Sequence, residues 1–125
     1  GPKLVLLVED DPEVRRVVQR QLSALGYPVV EAENGDEAAT LLASIADIGL
    51  LLSDIVMPGR LGGRQLAALA RQQRPEIRIL LMSGYAAPAE VADDDTRDIP
   101  LLAKPFTEAQ LGRMLDEVML CPPTN

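Results

Sequence analysis

Four apolar runs in this chain stop at a residue that could do chemistry: LVLLV at Glu9-Asp10-Asp11, GLLLS at Asp54, ILLM at Ser83-Gly84 and LLA at Lys104. Carboxylates, hydroxyls, lysine and backbone are the whole usable inventory. The 125 residues include no histidine and a single cysteine, Cys121, next to the C-terminus. That excludes imidazole bases, Ser-His and Cys-His nucleophile pairs, the usual zinc sites and an internal disulfide framework. Three carboxylates without imidazole or thiolate form a hard oxygen site for Mg²⁺ or a similar cation such as Mn²⁺, completed by waters and phosphate oxygens. A carboxylate at such a cation can also attack phosphorus and become an aspartyl phosphate. The remaining needs are positive charge and hydrogen-bond donors around the equatorial oxygens, which Lys104 and the Ser83 hydroxyl would supply.

Taken singly, each residue has a plainer explanation. Glu9-Asp10-Asp11 suits the start of a helix, where acids are favoured. Asp54 and Ser83-Gly84 could be turn residues, and Lys104 a solvated strand end. Lys104 is nevertheless unusual in a chain with ten arginines and two lysines, and arginine's forked head is no substitute for a compact ammonium in a tight site. What decides between the two readings is whether the elements bring these residues to one place.

The element pattern says that they do. Residues 4–8 are a continuous β-prone run, as expected for a strand buried on both faces. Asp11-Pro12 reads as N-cap and first helical residue, with Val14, Val17, Val18, Leu22 and Leu25 at helical spacing until Gly26. A strand is predicted at 28–32, then a helix opened by Gly35-Asp36-Glu37 with Ala38, Leu41, Leu42 and Ile45 inward. A third strand at 49–53 leads into a loop with three glycines and a proline, and a helix over roughly 64–74 with Leu66, Leu69 and Ala70 inward. The fourth strand is predicted at 77–82 and the fifth at 100–103, separated by a weak, acidic helix at 88–96. Thr107-Glu108-Ala109-Gln110 is a capping box for a last helix that buries Leu111, Met114, Leu115, Val118 and Met119.

Five apolar strands alternating with helices predict an α/β fold: a flavodoxin-like (βα)5 doubly wound parallel sheet with strand order 2-1-3-4-5. All strands then point the same way. Strands one, three, four and five deliver three carboxylates, a hydroxyl and an ammonium to one rim, at the switch point where such sheets bind ligands.

Composition bounds the partners. The length suits a single domain, here residues 3–120, with Gly1-Pro2 as a cloning remnant and 121–125 as a tail or linker. A net charge of −7 disfavours direct nucleic-acid binding, and no run is long enough for a membrane span or signal peptide, which makes the cytoplasm the expected setting.

VLLVEDDPEVR, SDIVMP, SGYA and LLAKPF, in that order, resemble the receiver domain of bacterial two-component response regulators. The wording around the motifs is most similar to receivers carried on the C-terminal side of hybrid histidine kinases. The resemblance covers about residues 3–120. It implies that Asp54 is the phosphoacceptor, that Glu9, Asp10, Asp54 and the backbone carbonyl of Val56 hold Mg²⁺, that Ser83 is the switch hydroxyl and that Lys104 pairs with the phosphoryl group. It further implies a cis Lys104-Pro105 peptide and a helix-capping rather than ligating Asp11. The domain would be a signalling module that promotes only its own phosphorylation and slow dephosphorylation.

With no histidine of its own, the chain would take the phosphoryl group from a histidine kinase or histidine phosphotransfer domain. Val14, Arg15 and Val18 are candidate contacts for that partner. A homodimer through the face of the fourth and fifth helices is a further expectation. Leu101 stands where the family has an aromatic switch residue, so readout by a swinging ring is not expected. Gly62-Gly63 replaces the more usual single glycine. Val56 and Tyr85 offer no carboxylate or amide to orient an attacking water, which predicts a phosphoryl group persisting for minutes or longer. The alternatives are a haloacid-dehalogenase-like phosphatase or phosphotransferase, which wants an aspartate where Val56 stands, and a receiver-like interaction module that is not phosphorylated.

Overall fold

The computed structural model describes residues 3–59, 61–84 and 98–120. The predicted helix at 88–96, and with it one side of the expected dimer face, lies outside these residues, as do Gly1-Pro2, Tyr85 and 121–125. The chain runs β1 (Leu4–Val8), α1 (Pro12–Ala24), β2 (Val29–Ala32), α2 (Gly35–Ser44), β3 (Ile48–Asp54), α3 (Gly63–Gln73), β4 (Arg78–Ser83), β5 (Leu101–Ala103) and α4 (Glu108–Leu120). The strands form one parallel sheet in the order β2-β1-β3-β4-β5, as expected.

Alternation along the inner strands explains why helices must cover both faces. Leu6, Val8, Leu51 and Leu81 face one way and pack with Ala38 and Leu42 of α2 and Leu66, Ala67 and Ala70 of α3. Val5, Leu7, Leu50, Leu52, Leu80 and Met82 face the other way, against Val18 and Leu22 of α1 and Leu111, Leu115 and Val118 of α4. Each of these strand residues is essentially inaccessible to water, so no polar alternation was available to mark a solvent face.

The helix boundaries have local causes. Asp11 caps α1, its carboxylate accepting from the backbone N–H of Glu13 and Val14, with Pro12 at the first turn. Gly26, at φ 94°, carries the chain out of the helix. Thr107 and Gln110 form the expected reciprocal box: the Gln110 N–H donates to the Thr107 hydroxyl and the Thr107 N–H to the Gln110 side chain. Asn34 caps α2 by accepting from the Glu37 N–H, while Glu37 reaches back to the N–H of Glu33. Arg74 donates to the carbonyls of Leu42, Ile45 and Ile48, closing the C-terminal end of α2.

Two inward assignments are corrected. Val17 is 53% exposed, because α1 turns the Val18–Leu22 stripe to the sheet and leaves Val17 on its flank. In α3, Ala67 takes the fully buried place beside Leu66 and Ala70, and Leu69 is half-buried. Strands β3 and β4 also run one residue further than predicted, so that Asp54 and Ser83 are themselves the last strand residues.

Candidate functional site

Four of the sequence-predicted residues converge at the C-terminal edge of the sheet. One carboxylate oxygen each from Glu9, Asp10 and Asp54 lies within 4.8 Å of the others. The Lys104 ammonium bridges two of these acids, at 2.9 Å from Glu9 Oε1 and 3.1 Å from Asp54 Oδ2. Glu9 and Asp54 are buried at the ends of β1 and β3, whereas Asp10 is on the rim. Topology does this: β1 and β3 are hydrogen-bonded neighbours with Val8 paired to Ser53, so the next residues out, Glu9 and Asp54, emerge side by side.

Lys104 reaches the acids from the far edge strand. Its N–H donates to the Ser83 carbonyl, which ties the β5 exit to the end of β4. The Lys104-Pro105 peptide is cis, and Phe106 is partly buried against the hydrophobic cluster on the α1/α4 face of the sheet. Ser83 ends β4, in register with Ala103 and one residue past the partner of Asp54. Val56 follows two residues after Asp54 in the exposed β3–α3 loop.

The electrostatics are those of a crowded acidic pocket with one cation in it. Burial by itself would push the Lys104 ammonium down, but the hydrogen bond that it donates to Glu9 and the charges of Asp54 and Glu9 outweigh it and lift the group above its ordinary value. Partial desolvation, and then the Glu9 carboxylate beside it, hold the Asp10 carboxyl above the usual range. Lys104 satisfies one Glu9 oxygen only. The other, Oε2, is buried with no hydrogen-bond partner among the described residues. An unpaired buried carboxylate oxygen is costly, and a cation shared with Asp10 and Asp54 would satisfy it, so the donor set fits a hard divalent ion.

Several supporting residues carried no sequence signal. The Ser53 hydroxyl, fully buried, donates to the Asp54 carbonyl at 2.9 Å. Gly63 lets α3 start on top of the Asp54 backbone: a Cβ there would lie 2.1 Å from the Asp54 carbonyl oxygen, and its N–H donates to Ile55 O at 2.8 Å. That close approach accounts for the second glycine of Gly62-Gly63. Asp11 caps its helix as expected.

Of the predicted partner contacts, Val18 is only 2% exposed and forms part of the floor of the groove described next. Arg15 is half-buried and engaged within the molecule, with Nε 3.3 Å from Glu31 Oε1 and Nη1 donating to Glu9 O at 2.8 Å. Val14 keeps an outward aspect. With exposed Val17, Gln21, Pro105 and Phe106 it lines an apolar groove of about 320 Å³ beside Lys104.

Known proteins of the same build carry names that agree with one another. A sequence profile of the response regulator receiver domain matches residues 5–116. The response regulator receiver protein CpdR of Brucella abortus is 36% identical over 94% of this chain and 98% of its own length. The sensor kinase CckA of the same organism is 34% identical over 95% of this chain, which spans only 13% of that protein. Among solved structures, a response regulator receiver protein from Sinorhizobium medicae superposes with a TM-score of 0.85 at 30% identity, covering 95% of each chain. The response regulator TrrA of Thermotoga maritima, solved in complex with Mg²⁺-BeF, superposes at 0.81 with 27% identity over 93% of this chain and 98% of its own.

Proposed function

The chain belongs to the response regulator receiver domain family of two-component signalling, and from that premise we propose that Asp54 accepts a phosphoryl group from a phosphohistidine. The observation that carries the reading is the Glu9-Asp10-Asp54 cluster with the Lys104 ammonium set between two of its members. In the transfer, an Asp54 carboxylate oxygen forms a bond to phosphorus as the P–N bond to the donor imidazole breaks, and the imidazole leaves with the electron pair. Lys104 moves its contact from the Asp54 carboxylate to the incoming phosphoryl oxygens, and the Ser83 hydroxyl donates to another of them.

Glu9, Asp10, Asp54 and the Val56 carbonyl would hold Mg²⁺, or Mn²⁺, which when bound neutralises charge on the phosphoryl oxygens. The unpaired Glu9 Oε2 supports that assignment.

The partner is a histidine kinase or a histidine phosphotransfer domain. Its docking face is the apolar groove between α1 and the Lys104–Phe106 turn, adjoining the acceptor and carrying Val17. Relatives occur both as nearly whole proteins, as in CpdR, and as a small part of a sensor kinase, as in CckA. Neither context changes the chemistry. Readout does not use an aromatic ring at position 101, where Leu101 is 45% exposed on edge strand β5. The phosphoryl group persists for minutes or longer without a partner, since Val56 has no group to orient water.

The test is transfer from a phosphohistidine-bearing kinase domain to this chain with Mg²⁺ present. Label should move to the wild type and not to Asp54→Asn; label on Asp54→Asn, or none on either, would remove the reading.

A further inference from the structure

Glu9 and Asp10 are adjacent, so a single peptide plane joins the two Cα atoms from which two of the three clustered carboxylates branch. The direction of that plane sets where both carboxylates go. Its orientation is held by contacts that lie outside the cluster. The Glu9 N–H, on the plane before it, donates to Ala32 O of β2 at 3.1 Å. The Glu9 carbonyl, part of the plane itself, accepts from Arg15 Nη1 at 2.8 Å.

Arg15 sits one turn into α1, its own N–H donating to the carbonyl of Asp11, the cap residue. Its guanidinium is itself anchored, with Nε 3.3 Å from Glu31, the neighbour of Ala32 on β2. The residue is therefore a strut between helix, acidic turn and edge strand. A solvated surface arginine would need only the Glu31 contact, a pair of modest worth; the second nitrogen on a main-chain carbonyl is the feature that a surface pair leaves unexplained.

We infer that Arg15 is a positioning residue for the Glu9-Asp10 pair, fixing through the Glu9 carbonyl the direction in which these two carboxylates meet a divalent cation, with Glu31 fixing Arg15 in turn. The inference rests on the cation-binding reading given above. It assigns Arg15 to the interior of the site's scaffold in place of a partner-facing role. Groups that orient ligands from behind commonly change metal affinity by one to two orders of magnitude when removed.

The experiment titrates Mg²⁺ calorimetrically into metal-free wild type, Arg15→Gln, Arg15→Lys, Glu31→Gln and Arg16→Gln, with the amide resonances of Glu9 and Asp10 followed in each before metal is added. Arg15→Gln should weaken Mg²⁺ binding about tenfold and move both amide resonances. Glu31→Gln should do the same to a smaller extent, Arg15→Lys should recover part of the loss, and Arg16→Gln, on the exposed side of α1, should match wild type. A folded Arg15→Gln that binds Mg²⁺ as tightly as wild type overturns the inference. If that variant does not fold, unchanged affinity and unchanged amides in both Glu31→Gln and Arg15→Lys overturn it instead. Failure of wild type to take up Mg²⁺ would overturn the functional reading, and this inference with it, whereas loss of the difference between wild type and Arg15→Gln strikes this inference alone.

Discussion

Lys104 does two things that pull against each other. Its ammonium offsets part of the charge of Glu9 and Asp54, which makes two buried carboxylates tolerable, and it thereby weakens the pull of the same carboxylates on any other cation. Lys104→Met should therefore bind Mg²⁺ severalfold more tightly, by calorimetry, while phosphoryl uptake slows about 100-fold for want of a charge on the transferring group. Lys104→Arg should recover little of that rate, and full recovery would show that charge alone suffices. Tyr27 gives a pH test away from the site. Burial, and then the Asp116 carboxylate, push its phenol above the ordinary value. The folded state thus holds that proton more tightly than the unfolded chain, so the contribution is complete below the unfolded value near 10 and lost as pH rises through the folded one. Alkaline denaturation should be less steep above pH ~10 in Tyr27→Phe than in wild type. Identical profiles would remove the assignment. Residue chemistry was legible where type and position coincided, as with a lysine behind an apolar strand. Arg15 was not, because a guanidinium gripping a backbone carbonyl leaves no pattern in the sequence.

Strands and caps could be read in advance for a physical reason: inner strands buried on both faces must be continuous apolar runs, and Asp11-Pro12 and Thr107-Gln110 satisfy backbone groups that a helix start leaves open. Which valine of α1 faces the sheet could not be read. Val14, Val17 and Val18 all fit a helical stripe, and only the packing of Val18 and Leu22 on the sheet selects the face. Gly35-Asp36-Glu37 reads as a helix start in its own right, which hides the cap one residue earlier: it is the Asn34 side chain that caps α2. The start of α3 rests on steric proximity. Gly63→Ala would drive a methyl into the Asp54 carbonyl and the Ile55 backbone, whereas at Gly62 the nearest atom is the movable end of Gln65. Thermal unfolding should place Gly63→Ala about 2–3 kcal/mol below wild type and Gly62→Ala within about 1 kcal/mol of it. Equal losses would mean that α3 does not seat on the Asp54–Ile55 backbone.

At the scale of the molecule, the sheet brings residues from positions 9, 10, 54 and 104 to one edge, and an apolar groove lined in part by Lys104 lies beside them. Chemistry and docking are therefore separable. Val17→Asp puts a charge on the exposed wall of the groove without touching the carboxylate cluster. Transfer from a phosphohistidine donor should slow about tenfold or more, and uptake from a small-molecule acyl phosphate should be unchanged; equal effects on both would place the partner elsewhere. The parallel sheet and the convergence of the acids at its edge were legible in the strand–helix alternation, with the strand order resting as much on precedent for a chain of this length, while the groove was not legible, since it forms only where α1 meets the Lys104–Phe106 turn. The claim on which the rest depends is that Asp54 takes the phosphoryl group. The direct measurement is intact mass and fragment mass of the wild type after incubation with Mg²⁺ and an acyl phosphate. A single phosphoryl addition on Asp54, absent from Asp54→Asn, is the expected result; no addition, or an addition that maps to another residue, would contradict it.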